Sequence, residues 1–169
     1  MAEKNHTSSR AIIALGANIG ESAKTLRAAV EAVGELPVLA AVNAASSIYR
    51  SAPAHVEDQA EFANAVMSVQ VKPGISAEQL LTELQSLENQ FGRIRHEHWG
   101  PRTLDLDIID FEGVISDTEQ LRLPHPFALL RDFVVTPLLE IAPDYVLADG
   151  RQVTRDDIQY GTVIGVYDD

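Results

Sequence analysis

The chain has 169 residues, 46% of them hydrophobic, with a formal net charge of −12 and a pI near 4.7. That length suits one domain with its own core, and the acidic balance argues against a broad nucleic-acid surface, which needs a basic face. Cysteine is absent, so disulfides, thiolate metal sites and a Cys nucleophile are excluded, and a reducing, cytoplasmic setting is expected.

Residues 1–10 are polar and lack the apolar stretch of a secretory signal, so they are expected to form a flexible N-terminal tail, with 11–169 a single domain. The apolar run 11–15 (AIIAL) predicts a buried strand, and 16–20 a turn. A helix over 22–33 follows, with Leu26, Ala29, Val30 and Val33 on one stripe and Gly34 as its stop. Residues 37–49, rich in small and β-branched side chains, predict one strand. The longest charge-free stretch, 36–49, contains Asn43, Ser46 and Ser47 and is shorter than the ~18 apolar residues of a membrane span. A loop over 51–59 leads to a strand over 62–71 (FANAVMSVQV), closed by Pro73-Gly74.

Ser76 and Gln79 have the spacing of a capping box. Leu80, Leu84, Leu87 and Phe91 then recur on one helical face, and Gly92 is expected to end that helix. Residues 103–111 alternate as a strand. Pro124, Pro126, Pro137 and Pro143 break the remainder into short helices and loops, before a final strand over 163–167. The order β-α-β-β-α-β is that of a ferredoxin-like α+β sandwich, an antiparallel sheet with helices packed on one face. Many functions share that layout, so function has to be read from the site.

The chemistry concentrates in 92–110. Along a strand, Leu104, Leu106 and Ile108 point one way and Asp105 and Asp107 the other, the two acids roughly 6.5–7 Å apart. Carboxylates so placed can share cations, and two-metal phosphoryl-transfer sites keep their ions roughly 3.5–4 Å apart. Hard oxygen donors favour Mg²⁺ over zinc. A solvent-facing edge strand could carry the same two acids without function, but the flanks add Arg93, Arg95 and Arg102. Forked cations beside a metal site suit phosphate oxygens. Trp99 could pack into the core or cover a bound heterocycle. His96 and His98 are spaced H-x-H, yet with no cysteine and no H-E-x-x-H zinc is the weaker reading. Neither G-x-x-x-x-G-K-[ST] nor G-x-G-x-x-G occurs, so ATP would have to be held by the arginine loop and the metals.

Residues 99–107, WGPRTLDLD, closely resemble the signature of the 6-hydroxymethyl-7,8-dihydropterin pyrophosphokinase family of folate biosynthesis. LGANIG, YRSAP, FANAV, GRIR, LPHP and PLLEIAP follow the family's order, and only 1–10 and the C-terminal stretch lack clear counterparts. The resemblance implies that the pyrophosphoryl group of ATP moves to the pterin hydroxymethyl oxygen and AMP is released. It implies that Asp105 and Asp107 bridge two Mg²⁺ ions, that Arg93 and Arg102 stabilise the transferring group, and that Arg95 lies on the phosphate chain. His125 and Arg131 would add triphosphate contacts, Ile108 would pack on adenine, and Gln85 and Glu88 would lie on the nucleotide side. Asn64 would hydrogen-bond the pterin edge, Phe62 and Phe133 would sandwich its ring, and main-chain groups near Ser51 and Ala54 would complete that pocket. Trp99, on a loop over 92–103, would close over ATP and pterin and exclude water. The expected partners are these two small molecules alone, bound by a monomer with no nucleic acid and no membrane.

Four positions depart from the family pattern. Ala17 stands where serine is common, and Phe62 replaces a frequent tyrosine, which preserves stacking. His98 stands in place of the usual arginine, which would weaken one loop contact and make it pH-dependent near a histidine pKa of about 6.5. Gln120 stands where some members have an adenine-side arginine. The mechanism implied requires no Ser-His or Lys nucleophile, because the pterin alcohol attacks the β-phosphorus directly, and positioning and charge stabilisation do the rest. A nucleotidyl transferase would also use D-x-D but would release pyrophosphate. A ferredoxin-like binding module would not need Arg93, Arg102, Asp105 and Asp107 together, and no RNP-type aromatic strand is present.

Overall fold

Ala11, Ile12, Ile13 and Leu15 leave no polar side for water, and a computed structural model of the chain, which describes residues 7–17, 22–52, 62–95 and 104–167, buries them in a central strand. This strand, β1 (Ser9–Ala17), begins inside the expected tail. Ser9 and Arg10 pair with Val71 and Gln70 through backbone groups, which asks nothing of their polar side chains.

Helix α1 (Ser22–Gly34) follows as expected. The single strand expected over 37–49 is instead two, β2 (Leu39–Ala45) and β3 (Tyr49–Ser51). Ser46 fills the gap: its backbone N–H donates to the Val66 carbonyl at 2.9 Å, and its hydroxyl accepts from the Val66 N–H at 2.9 Å. A side chain thus replaces one rung of the ladder. Strand β4 (Phe62–Val71) has the expected bounds.

The capping box of α2 (Ala77–Arg95) forms reciprocally, with Ser76 N–H donating to Gln79 Oε1 at 2.8 Å and Gln79 N–H to Ser76 Oγ at 3.0 Å. Gly92 does not end this helix. It is not among the positive-φ glycines, and a helical glycine costs only about 1 kcal/mol relative to alanine, so α2 runs on to Arg95 and takes the first part of the expected 92–103 loop. Strand β5 (Asp105–Phe111) leads to a small hairpin, β6 (Ser116–Asp117) and β7 (Arg122–Leu123). A 3₁₀ turn (Ala128–Leu130), α3 (Asp132–Ile141) and β8 (Val163–Val166) complete the chain. Pro137 lies within α3 rather than breaking it, on the face buried in the core.

The sheet is antiparallel with strand order β5-β1-β4-β3-β8, and β2 also pairs with β4. Alternation along β1 and β4 makes two cores. Ile13, Leu15, Met67 and Val69 meet Leu26, Ala29 and Val33 of α1 and Leu80, Leu84 and Leu87 of α2 on one face. Ile12, Val66 and Ile109 meet Val134, Val135 and Leu138 of α3 on the other. The fold is the ferredoxin-like α+β sandwich, but its helices are not confined to one face. Apolar residues on both sides of the central strands require cover on both.

Candidate active site

Strand β5 lies at the sheet edge, and its Asp105 and Asp107 are exposed while Leu104, Leu106 and Ile108 are buried against α1 and α2. The acids therefore stand on the α3 side. Asp107 pairs with Ala14 and Asp105 with Gly16 on β1, and Gly16 pairs on its other side with Asn64 of β4. Paired residues share a face, so Asp105, Gly16 and Asn64 form one row across three strands, with the outer two roughly 10 Å apart at two inter-strand spacings. The glycine leaves the middle of that row without a side chain. A Cβ there would lie 3.3 Å from Asn64 Nδ2.

Asn64 is buried and fixed in orientation. The Ser51 hydroxyl donates to its Oδ1 at 2.6 Å, so the amide NH₂ turns towards Gly16 and has no acceptor among the described residues. Phe62 lies two residues before Asn64 on the same face, half-buried, opposite Ser51. Tyr49 pairs with Asn64 and donates its hydroxyl to Glu140 Oε1 at 2.8 Å; the same carboxylate accepts from Ser47 N–H at 2.9 Å and Ser47 Oγ at 3.0 Å. Burial, then Glu140, pushes the Tyr49 phenol up to about 12, which keeps it a neutral donor. The residue reading missed Gly16, Tyr49 and Glu140. A glycine inside an apolar strand was the one local signal available.

Beside this row, Asp107, Ile108, His125 and Arg131 line one cleft of about 370 Å³ with Leu81, Gln120, Arg122 and Phe127. Burial lowers the His125 pKa below the usual histidine value, with Arg131 acting in the same direction and Asp107 opposing it. Its Nδ1 accepts from the Phe127 N–H at 3.2 Å. The neutral ring thus carries its proton on Nε2, a donor suited to an anionic oxygen. The Arg131 guanidinium lies over the Phe127 and Phe133 rings, 5.7 and 5.8 Å from their centroids.

Gln85 is exposed on α2 and does not line the cleft; Leu81, one turn earlier, does. Glu88 accepts from the Leu106 N–H at 2.7 Å, tying α2 to the edge strand between the two exposed acids. Ala54, His96, His98, Trp99 and Arg102 lie outside the described residues, as do the side chains of Arg93 and Arg95.

No group of three or more acidic or imidazole side chains placed to hold a metal occurs among the described residues. Two exposed carboxylates on one face nonetheless fit Mg²⁺, which is commonly held by one or two carboxylates together with water and substrate phosphates. Among the described residues, no helix is long and apolar enough to cross a membrane.

Comparison with known proteins bears on this arrangement. The model of the 7,8-dihydro-6-hydroxymethylpterin-pyrophosphokinase (HPPK) family matches residues 12–143. A 2-amino-4-hydroxy-6-hydroxymethyldihydropteridine pyrophosphokinase of Haemophilus influenzae is 41% identical over 145 residues, 86% of this chain and 89% of that protein. One of Bacillus subtilis is 45% identical over 131 residues, 78% of this chain and 77% of that protein. Among solved structures, Plasmodium falciparum HPPK-DHPS superimposes with a TM-score of 0.64 at 12% identity, over 86% of this chain and 40% of the longer Plasmodium chain, a likeness of fold.

Proposed function

The chain belongs to the 7,8-dihydro-6-hydroxymethylpterin-pyrophosphokinase family, and from that membership we propose that it transfers the pyrophosphoryl group of ATP to the hydroxymethyl oxygen of 6-hydroxymethyl-7,8-dihydropterin, releasing AMP, in tetrahydrofolate biosynthesis. The observation that carries this reading at the level of residues is the row Asp105–Gly16–Asn64. It sets an acidic edge and an oriented amide donor on one sheet face, with a glycine that carries no side chain between them.

In this reading Asp105 and Asp107 hold two Mg²⁺ ions. When bound, Mg²⁺ neutralises triphosphate charge and favours attack at phosphorus. The chain's own residues supply positioning. Asn64 donates to an acceptor on the pterin edge, Phe62 and Phe133 hold the ring between them, and backbone groups near Ser51 and Ala54 close that side. Ile108 packs on adenine, and Glu88 holds the edge strand beside it through the Leu106 N–H. His125, through Nε2–H, and Arg131 bind oxygens of the triphosphate, and Arg95 lies along it. Arg93 and Arg102 stabilise the transferring group as the pterin oxygen bonds to the β-phosphorus and AMP departs. Trp99 covers the reactants and keeps water from competing.

The chain from Ser9 on, where β1 begins, acts as one pyrophosphokinase domain, a cytoplasmic monomer without nucleic-acid or membrane partner. The acidic charge and the lack of cysteine support the setting, and light scattering at 18.4 kDa checks the monomer. For the reaction, the protein is incubated with Mg-ATP and the pterin and the nucleotide product identified. AMP formed only in the presence of pterin is expected; ADP, or free pyrophosphate from a nucleotidyl transfer, overturns the reading.

A further inference from the structure

Arg131 is held by rings and a hydroxyl. Besides Phe127 and Phe133, the Tyr160 ring lies 5.8 Å from its guanidinium carbon, and Arg131 Nε donates to the Tyr160 hydroxyl at 2.8 Å. Among the described residues no carboxylate pairs with this arginine. Aromatic faces attract a guanidinium without cancelling its charge. A hydroxyl on Nε also fixes the plane of the fork, so the Nη edge remains for an anion such as phosphate.

Tyr160 is brought there by a strap stapled to the start of α3. The N–H groups of Gln159 and Tyr160 donate to the Leu130 carbonyl at 2.8 and 3.1 Å, and Asp132 N–H donates to the Tyr160 carbonyl at 2.9 Å. Val163 N–H donates to the Asp132 carboxylate at 2.8 Å, and Ala52 N–H to the Thr162 carbonyl at 3.0 Å, next to β3. Within the strap, Gly161 has φ +78°, and an added Cβ would lie 2.4 Å from the Phe133 ring. Only glycine lets the chain pass so close to that ring. The strap itself lies beyond residue 143, where the family match ends, while the residues it is stapled to lie within it.

We propose that the 159–163 strap is a working part of the substrate site: Tyr160 is a positioning residue that orients Arg131 towards the triphosphate, and Gly161 sets Phe133 against the pterin. The inference rests on the pyrophosphokinase reading above.

Steady-state kinetics of the full chain, with thermal denaturation of each variant, test it. Tyr160→Phe, which keeps the ring and removes the hydroxyl, is expected to raise the KM for ATP about three- to tenfold, the scale of one hydrogen bond, with pterin KM and Tm unchanged. Tyr160→Ala is expected to raise it further. Gly161→Ala is expected to raise pterin KM while leaving the KM for ATP unchanged. Wild-type ATP KM in both Tyr160 variants would overturn the proposal, and so would a parallel fall in kcat and Tm with neither KM affected selectively. A wild-type chain with no pyrophosphokinase turnover overturns the underlying reading and this inference together, and the wild-type control separates that outcome from the others.

Discussion

Asp107 and Asp110 occupy the same strand, yet solvent surrounds one and the protein encloses the other. Asp107 is exposed beside the cleft. Asp110 is 1% exposed; it accepts from the Tyr145 hydroxyl at 2.6 Å and from the Ala148 N–H at 2.9 Å. The difference arises in the register. A bulge between the pairs Ile12–Asp110 and Ile13–Ile108 breaks the alternation of β5. Without it, Asp110 would share the α1/α2 face with Leu106 and Ile108; with it, Asp110 faces the α3 side beside Ile12 and meets Tyr145. An acid exposed to water beside a cleft can serve a cation and a substrate, whereas a buried one that already accepts two hydrogen bonds serves the fold.

The largest expected effect tests the exposed half of that contrast. Asp105→Asn and Asp107→Asn should each lower kcat/KM by about 10²–10³-fold, the scale of losing one electrostatic stabiliser. Asp107→Asn should change stability by no more than ~0.5 kcal/mol, as for other surface substitutions. Normal turnover in either variant at saturating Mg²⁺ would sink the metal assignment.

The buried half predicts the reverse. Asp110→Ala leaves the Tyr145 hydroxyl and the Ala148 N–H without their acceptor, at ~1–3 kcal/mol per group, so chemical denaturation should show a loss of about 2–6 kcal/mol. Turnover of the folded fraction should stay near wild type; a selective loss of kcat would place Asp110 in the catalytic machinery instead.

The sequence made the first half of this comparison legible and not the second. D-x-D beside three arginines is a local pattern, and strands 11–15 and 62–71 and the leucine face of α2 are equally local. What was not legible depends on partners far along the chain. Ser46 divides the 37–49 segment by bonding Val66, Tyr49 depends on Glu140, and the strap depends on Leu130 and Asp132. Gly92 misled because a glycine can stop a helix or be carried inside one.

A smaller effect should come from the middle of the row. Gly16→Ala places a methyl group 3.3 Å from Asn64 Nδ2, and should raise pterin KM about threefold, a fraction of one hydrogen bond, with ATP KM unchanged. An equal rise in both KM values would show that the row does not separate the two substrates.

The smallest is a pH dependence. Burial raises the Asp110 pKa, although its bonds to Tyr145 and Ala148 oppose the shift. Between the ordinary Asp pKa of about 4 and the raised native value, the folded state therefore binds the extra proton. Stability from this group is full below the ordinary pKa and is lost as pH rises through the native one. Asp110→Asn, which mimics the protonated form, should gain stability relative to wild type as pH rises from about 4, as measured by parallel urea titrations. A difference that stays flat with pH would contradict the raised value.

Pyrophosphoryl transfer to a pterin can be read from which phosphorus moves. The protein is supplied with Mg-ATP labelled at either the α- or the γ-phosphorus, together with 6-hydroxymethyl-7,8-dihydropterin. The α label is expected in AMP and the γ label in the pterin product. An α label on the pterin, or a γ label transferred with release of ADP, would contradict it.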